Sequence, residues 1–240
     1  MGVELDLYLR EREDNVKLTR ILLIVMAAGL LSMPASANPV TITNPGFETP
    51  AMPPGGWVTN IPGWNTGSGY PPASVGTFFP GTGQYPGGIP QGNNVAFTKG
   101  PWISQILTAT LQPNTIYTLT VNVGYRLDNS SGPFSGFTIS LLAGNTVIAS
   151  SSSGTPAAGN WITALASYTS LAADPLTGAP LQILLTVNSP YPYQVNFDNV
   201  RLDASGVNSP QRPGSPVPEP STLALLGTGL IGVIKRRFRR

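Results

Sequence analysis

Between Asn38 and Asp203 the sequence carries eight charged side chains: Glu48, Lys99, Arg126, Asp128, Asp174, Asp198, Arg201 and Asp203. Histidine and cysteine are absent from the whole chain. Their absence removes serine–histidine and cysteine–histidine nucleophiles, histidine–zinc sites and any disulfide framework together. What remains for chemistry is carboxylates. A glycoside hydrolase needs two of them about 5 to 10 Å apart across a cleft, and Asp128, Asp174 and Asp203 sit in turn-like or terminal contexts that suggest no tuned acid and base. The glycine-rich stretch Gly81–Gly88, "GTGQYPGG", has neither the following helix nor the Lys-Ser/Thr of a phosphate-binding loop. On these grounds the chain is expected not to be an enzyme.

Aromatic residues offer binding instead. Trp57, Trp64, Tyr70, Phe78, Phe79 and Tyr85 crowd one loop-like stretch, and a sugar ring stacks on an exposed aromatic face through its apolar C–H edges. Most aromatics of a β-sandwich are core; Tyr70, Tyr85, Tyr191 and Tyr193 are the candidates for a glycan contact surface. Five acids against three bases in Asn38–Asp203 leave no basic face for nucleic acid.

The elements that must position these residues read as strands. In "YTLTVNVGY", Tyr117, Leu119, Val121, Val123 and Tyr125 alternate with polar residues, the period of a half-buried strand. The same period recurs at Phe137, Ile139 and Leu141, and again at Leu181, Ile183, Leu185 and Val187, with turn clusters such as "DNSSGP" and "LAGN" between. No sustained helical period interrupts them. Near the end, Val195 and Phe197 share one phase while Val200 and Leu202 take the other, so the phase slips at Asp198-Asn199. One extra residue in a strand is a β-bulge, and a buried Asp beside it would need a partner.

The two ends have other compositions. Lys17 and Arg20 precede an apolar run from Ile21 to Leu31 that closes on Ala35-Ser36-Ala37. This is the layout of a secretory signal, with signal peptidase expected to cut after Ala37, and residues 1–37 are assigned to leader and signal. The acidic "MGVELDLYLREREDN" ahead of it is an odd leader, and translation starting at Val16 would explain it. Residues 204–217 are rich in Pro, Gly and Ser and read as a linker. Residues 218–240 hold Pro218-Glu219-Pro220, a short apolar segment at 221–234, and then Lys235, Arg236, Arg237, Phe238, Arg239 and Arg240. The twelve residues from Leu223 to Ile234, if helical at about 1.5 Å each, reach about 18 Å, short of the roughly 30 Å hydrocarbon core.

Two resemblances follow from these residues. "NPGFETP" (Asn44 to Pro50), "IPGWNT" (Ile61 to Thr66), "ISQILTATLQPNTIYTLTVNV" and "VNFDNVRLD" together resemble the galactose-binding-like jelly-roll domains of carbohydrate-binding modules and bacterial surface proteins. The strand pattern argues for an antiparallel sandwich or barrel, and the two end segments add a signal helix before it and a short C-terminal helix after it. The likeness implies an all-β jelly-roll β-sandwich over 38–203. It also implies a structural calcium held by Glu48, Asp198 and carbonyls around Asn44, with no other cofactor required. The tail resembles the PEP-CTERM sorting signal of Gram-negative bacteria that make exopolysaccharide. There Pro218, Glu219, Pro220 and the basic end, Lys235, Arg236, Arg237, Arg239 and Arg240, are implied to be read by an exosortase. The chain would then be held transiently in the inner membrane, its C-terminus cytoplasmic, before release to the cell surface or extracellular matrix. The expectation is an exported, non-catalytic surface or matrix protein, structural or adhesive through polysaccharide binding. The alternatives are a glycan-active hydrolase and a plain membrane-anchored structural protein.

Overall fold

The alternating segments form strands because each can turn one face inward. In the computed structural model, which describes residues 38–128, 132–188 and 192–207, the elements are β1 (Asn38–Pro39), β2 (Trp57–Val58), β3 (Asn65–Thr66), β4 (Val75–Phe78), β5 (Val95–Thr98) and β6 (Ile103–Thr110). They continue as β7 (Thr115–Tyr125), β8 (Phe137–Ala143), β9 (Thr146–Ser151), β10 (Asn160–Thr169), β11 (Pro180–Val187) and β12 (Val195–Gly206). Among the described residues there is no helix. The expected signal segment, cleavage residues Ala35 and Ala37, tail segment 221–234, Pro218, Glu219, Pro220, the basic end and Tyr191 lie outside the described residues.

The strands build two antiparallel sheets. One has seven strands, in the order β10-β7-β12-β5-β4-β2 with β1 on β12; the other has five, in the order β3-β6-β11-β8-β9. Between them lies the core. Leu119, Val121 and Val123 of β7, Ile139 and Leu141 of β8, Ile183 and Leu185 of β11, and Phe197 and Leu202 of β12 are all buried in it. Burying such a side chain contributes about 1.5–3 kcal/mol. Gly144-Asn145 joins β8 to β9 through a turn in which Gly144 adopts φ 57°, the left-handed start of a two-residue hairpin.

β12 organises the larger sheet. Asp198 pairs with Asn122 and Arg201 with Thr120, so Asn199 and Val200 stand opposite Val121 alone. This is the expected bulge, and Asn199 adopts φ 51° within it. Asn tolerates the left-handed region better than most residues. The extra residue lets Val195 and Phe197 reach the core before it, and Val200 and Leu202 after it. Alternation with Val195 and Phe197 leaves Asn196 and Asp198 on the opposite face of the sheet.

Candidate active site

That opposite face is where polar and aromatic groups meet. Asn196 stands between Phe97 of β5 and Gly124 of β7, and Trp161 of β10 lies beyond Gly124. Trp57, on β2, pairs with Phe78 of β4. The Gly81–Gly88 loop folds over this face and inserts Tyr85, which is 1% exposed. The Tyr85 ring packs 4.6 Å from that of Trp161, and its hydroxyl donates to Asn196 Oδ1 at 2.8 Å. Gly124 makes the space: a Cβ there would fall 2.6 Å from the Tyr85 hydroxyl and 2.7 Å from the Trp161 ring. The Trp161 indole N–H is buried with no partner among the described residues.

Asp198 lies deeper on the same face, fully buried. Its Oδ2 accepts from the Gln91 N–H at 2.8 Å and its Oδ1 from the Asn199 N–H at 2.6 Å. Burial raises its pKa, the Glu48 charge raises it further, and the two N–H bonds oppose them; the result is about 7. The other acids hold structural posts. Asp128 takes a forked bond from Arg126, Nε to Oδ1 at 2.9 Å and Nη2 to Oδ2 at 2.5 Å. Asp174 accepts from the Tyr168 hydroxyl and the Leu176 N–H, and the tyrosine bond chiefly holds its pKa below the usual carboxylate range. Asp203 pairs with Pro39 where β1 closes on β12.

Glu48 accepts from the Asn93 and Asn94 N–H groups, each at 3.0 Å. It therefore pins the far end of the loop whose Gln91 reaches Asp198. Asn44 is a loop brace: its amide bonds Thr49 and Pro62, and its carbonyl already accepts from the Phe47 N–H and the Trp64 indole. Glu48 and Asp198 do converge on one loop, but the carbonyl of Asn44 is engaged elsewhere. Among the described residues no three His, Cys, Asp or Glu side chains converge on a point suited to a metal.

A cavity of about 270 Å³ opens at the other end of this face, lined by Trp57, Phe78, Phe79, Phe97, Lys99, Arg126, Gln84 and Gln194. The Arg126 guanidinium lies 5.4 Å from the centroid of the Phe78 ring. From the cavity a polar row runs inward, with Arg126 Nη1 donating to Gln194 Oε1 at 3.4 Å and Gln194 Nε2 to Asn196 Oδ1 at 3.5 Å. Tyr85 joins at Asn196, and Asp198 lies two residues farther along the strand.

Of the four tyrosines proposed for glycan contact, Tyr70 is 41% exposed and Tyr193 is half-buried. Tyr85 is corrected: its ring is enclosed by its own loop and Trp161, so it offers no face to a surface glycan. Reading the sequence missed Trp57, Phe97, Lys99 and Arg126 as one lining. No local pattern in the sequence signals it, because Lys99 and Arg126 lie well beyond the aromatic stretch Trp57–Tyr85.

Known proteins bear directly on this face. Residues 38–203 match the HpiC1 cyclase (HpiC1-like) family, and residues 216–240 match the PEP-CTERM protein-sorting motif. The cyclase FisC from Fischerella sp. TAU, crystallised with (3Z)-3-(1-methyl-2-pyrrolidinylidene)-3H-indole, is 29% identical at TM-score 0.64, covering 72% of this chain and 100% of its own. A cyclase from the same source, crystallised with 4-(1H-indol-3-yl)butan-2-one, matches at 29% identity and TM-score 0.65 with the same coverage. Carbohydrate-binding modules are also structural neighbours; one, TmCBM61 with β-1,4-galactotriose, is 16% identical at TM-score 0.43, covering 67% of this chain and 95% of its own. That likeness is too shallow to carry a function. No curated protein matches the chain.

The family overturns the expectation of a protein without catalysis. Histidine or cysteine nucleophiles and paired carboxylates are the marks of hydrolysis, and a ring closure that leaves the substrate's composition unchanged does not require them. The sorting motif implies an exported, cell-surface protein processed by an exosortase. Over residues 38–203, the chain belongs to the HpiC1 cyclase family.

Proposed function

We propose that this chain is an exported cyclase that closes a ring in an unsaturated aromatic substrate, with Asp198 as its general acid. The observation that carries this is a fully buried carboxyl on the cavity-bearing face, with its pKa raised to about 7. A general acid works best when its pKa lies near the working pH. Asp198 gives its proton to an unsaturated carbon, a second π bond attacks the resulting cation, and loss of a proton restores the carboxyl; the product is an isomer of the substrate. The rings of Trp57, Phe78 and Phe97 supply the apolar surface that holds the substrate's aromatic frame. Tyr85 stands between cavity and acid, so productive binding displaces it from Asn196. The indole compounds bound to the two Fischerella cyclases favour an indole-like substrate here.

The test is incubation with indoles carrying alkenyl side chains, followed by mass spectrometry and NMR. Wild-type protein should yield a ring-closed isomer of unchanged mass. Asp198→Asn should lose about 10²–10⁴-fold in rate, the usual contribution of a general acid, and retention of the rate would refute the assignment.

The sandwich is read as a jelly roll, and export is read as passing through a transient inner-membrane stage with the C-terminus cytoplasmic. Delivery to an exopolysaccharide matrix belongs to the same reading, with any polysaccharide contact falling on exposed Tyr70. Calcium is proposed at Glu48 in narrowed form. Asn94 Oδ1 is buried without a partner among the described residues, on the residue whose N–H Glu48 accepts. A hard cation there would add charge neutralisation and tie the Glu48 segment to the Asn93–Asn94 loop. Dialysis against EGTA should lower the unfolding temperature, with recovery on adding calcium; no change would leave Glu48 as a loop acceptor alone.

A further inference from the structure

The cavity is unusually positive for this domain. Asn38–Asp203 holds three bases, and two of them, Lys99 and Arg126, line the one cavity described, whose lining contains no carboxylate. Arg126 is already matched by the forked bond to Asp128. Lys99 is not matched: among the described residues its side chain has no carboxylate partner. Partial burial and the neighbouring Arg126 charge both lower its pKa. An ammonium placed among Trp57, Phe78 and Phe97, next to a second cation, is destabilised unless something negative joins it.

We infer that the cavity selects a substrate bearing a carboxylate on its aromatic frame, with Lys99 as the counter-ion and Arg126 closing the positive side. The aromatic rings would hold the ring system and Lys99 would fix which end enters first, leaving the unsaturated end toward Asn196 and Asp198. This rests on the cavity being the substrate site, and it adds a substrate class to that reading.

Isothermal titration of the full chain with indole-3-propionate and its neutral amide tests it. The acid should bind at least about tenfold tighter than the amide, a difference of about 1.4 kcal/mol, and the preference should shrink as salt is raised. Lys99→Met should erase the preference while leaving amide binding, and Lys99→Arg should keep it; unchanged thermal unfolding of both variants excludes a folding defect. Equal affinity for acid and amide, or a preference that survives Lys99→Met, overturns the carboxylate proposal. If both probes bind alike and Phe97→Ala weakens both, the cavity stands as the aromatic site and the anion alone is refuted. If neither probe binds wild type, the cavity reading falls with it.

Discussion

Asp198 shows how one side chain can belong to structure and chemistry together. Its two N–H bonds fasten the Gln91 loop to β12, yet burial and Glu48 keep its proton on to about pH 7. The folded pKa lies above the unfolded one, so the folded state holds a proton that the unfolded chain has already released. Stability from this group is therefore present below about pH 4 and is lost as pH rises to about 7. Thermal unfolding followed across that window should fall with pH in wild type and fall less in Asp198→Asn. Tyr85 gives a second residue-scale expectation. Tyr85→Phe keeps the ring on Trp161 but removes the bond to buried Asn196 Oδ1, whose other donor, Gln194, is at 3.5 Å. The cost should be about 1–3 kcal/mol in denaturant unfolding, and a loss near zero would mean that water replaces the hydroxyl.

Among the elements, the bulge in β12 decides that Val200 and Leu202 return to the core face after Asp198 has pointed away from it. Deleting Asn199 would close the bulge, with Val200 alone opposite Val121, and would keep Val200 and Leu202 in phase with Val195 and Phe197. Both that deletion and Asn199→Gly, which accepts φ 51°, should therefore fold. Circular dichroism and solubility of the two variants check this, and a deletion variant that yields no folded protein would contradict the assigned register. The bulge was legible in the sequence, because a one-residue slip between Val195/Phe197 and Val200/Leu202 has no other economical reading. So were β7, β8 and β11, whose alternation is strict. The cavity was not legible: its lining comes from β2, β4, β5 and the loop residues beside them and beside β7 and β12, and short strands such as Trp57–Val58 carry no period. The burial of Tyr85 was hidden for a similar reason, since a glycine-rich loop says nothing of which side chain it inserts, and only Gly124 opposite it makes the space.

For the whole molecule, the tail and the sandwich report on different things. The tail announces where the chain goes, and its short apolar run and basic end match a sorting motif. Glu219→Ala should leave the mature protein unprocessed, with a higher mass and retention in the membrane fraction; unchanged mass and location would contradict exosortase recognition. The sandwich decides what the chain does, and there the lack of histidine and cysteine argued against hydrolysis without bearing on proton-initiated ring closure. In the reaction proposed above, one buried carboxyl supplies the proton and the aromatic cavity holds the substrate. The most direct measurement is the pH–rate profile of isomer formation from an alkenyl indole. Wild type should lose activity as pH rises through about 7, when Asp198 surrenders its proton, and Asp198→Asn should be slow and flat across the same range. A wild-type rate that holds constant to pH 9, or an Asp198→Asn variant that retains the wild-type profile, would contradict the assignment of Asp198 as the acid.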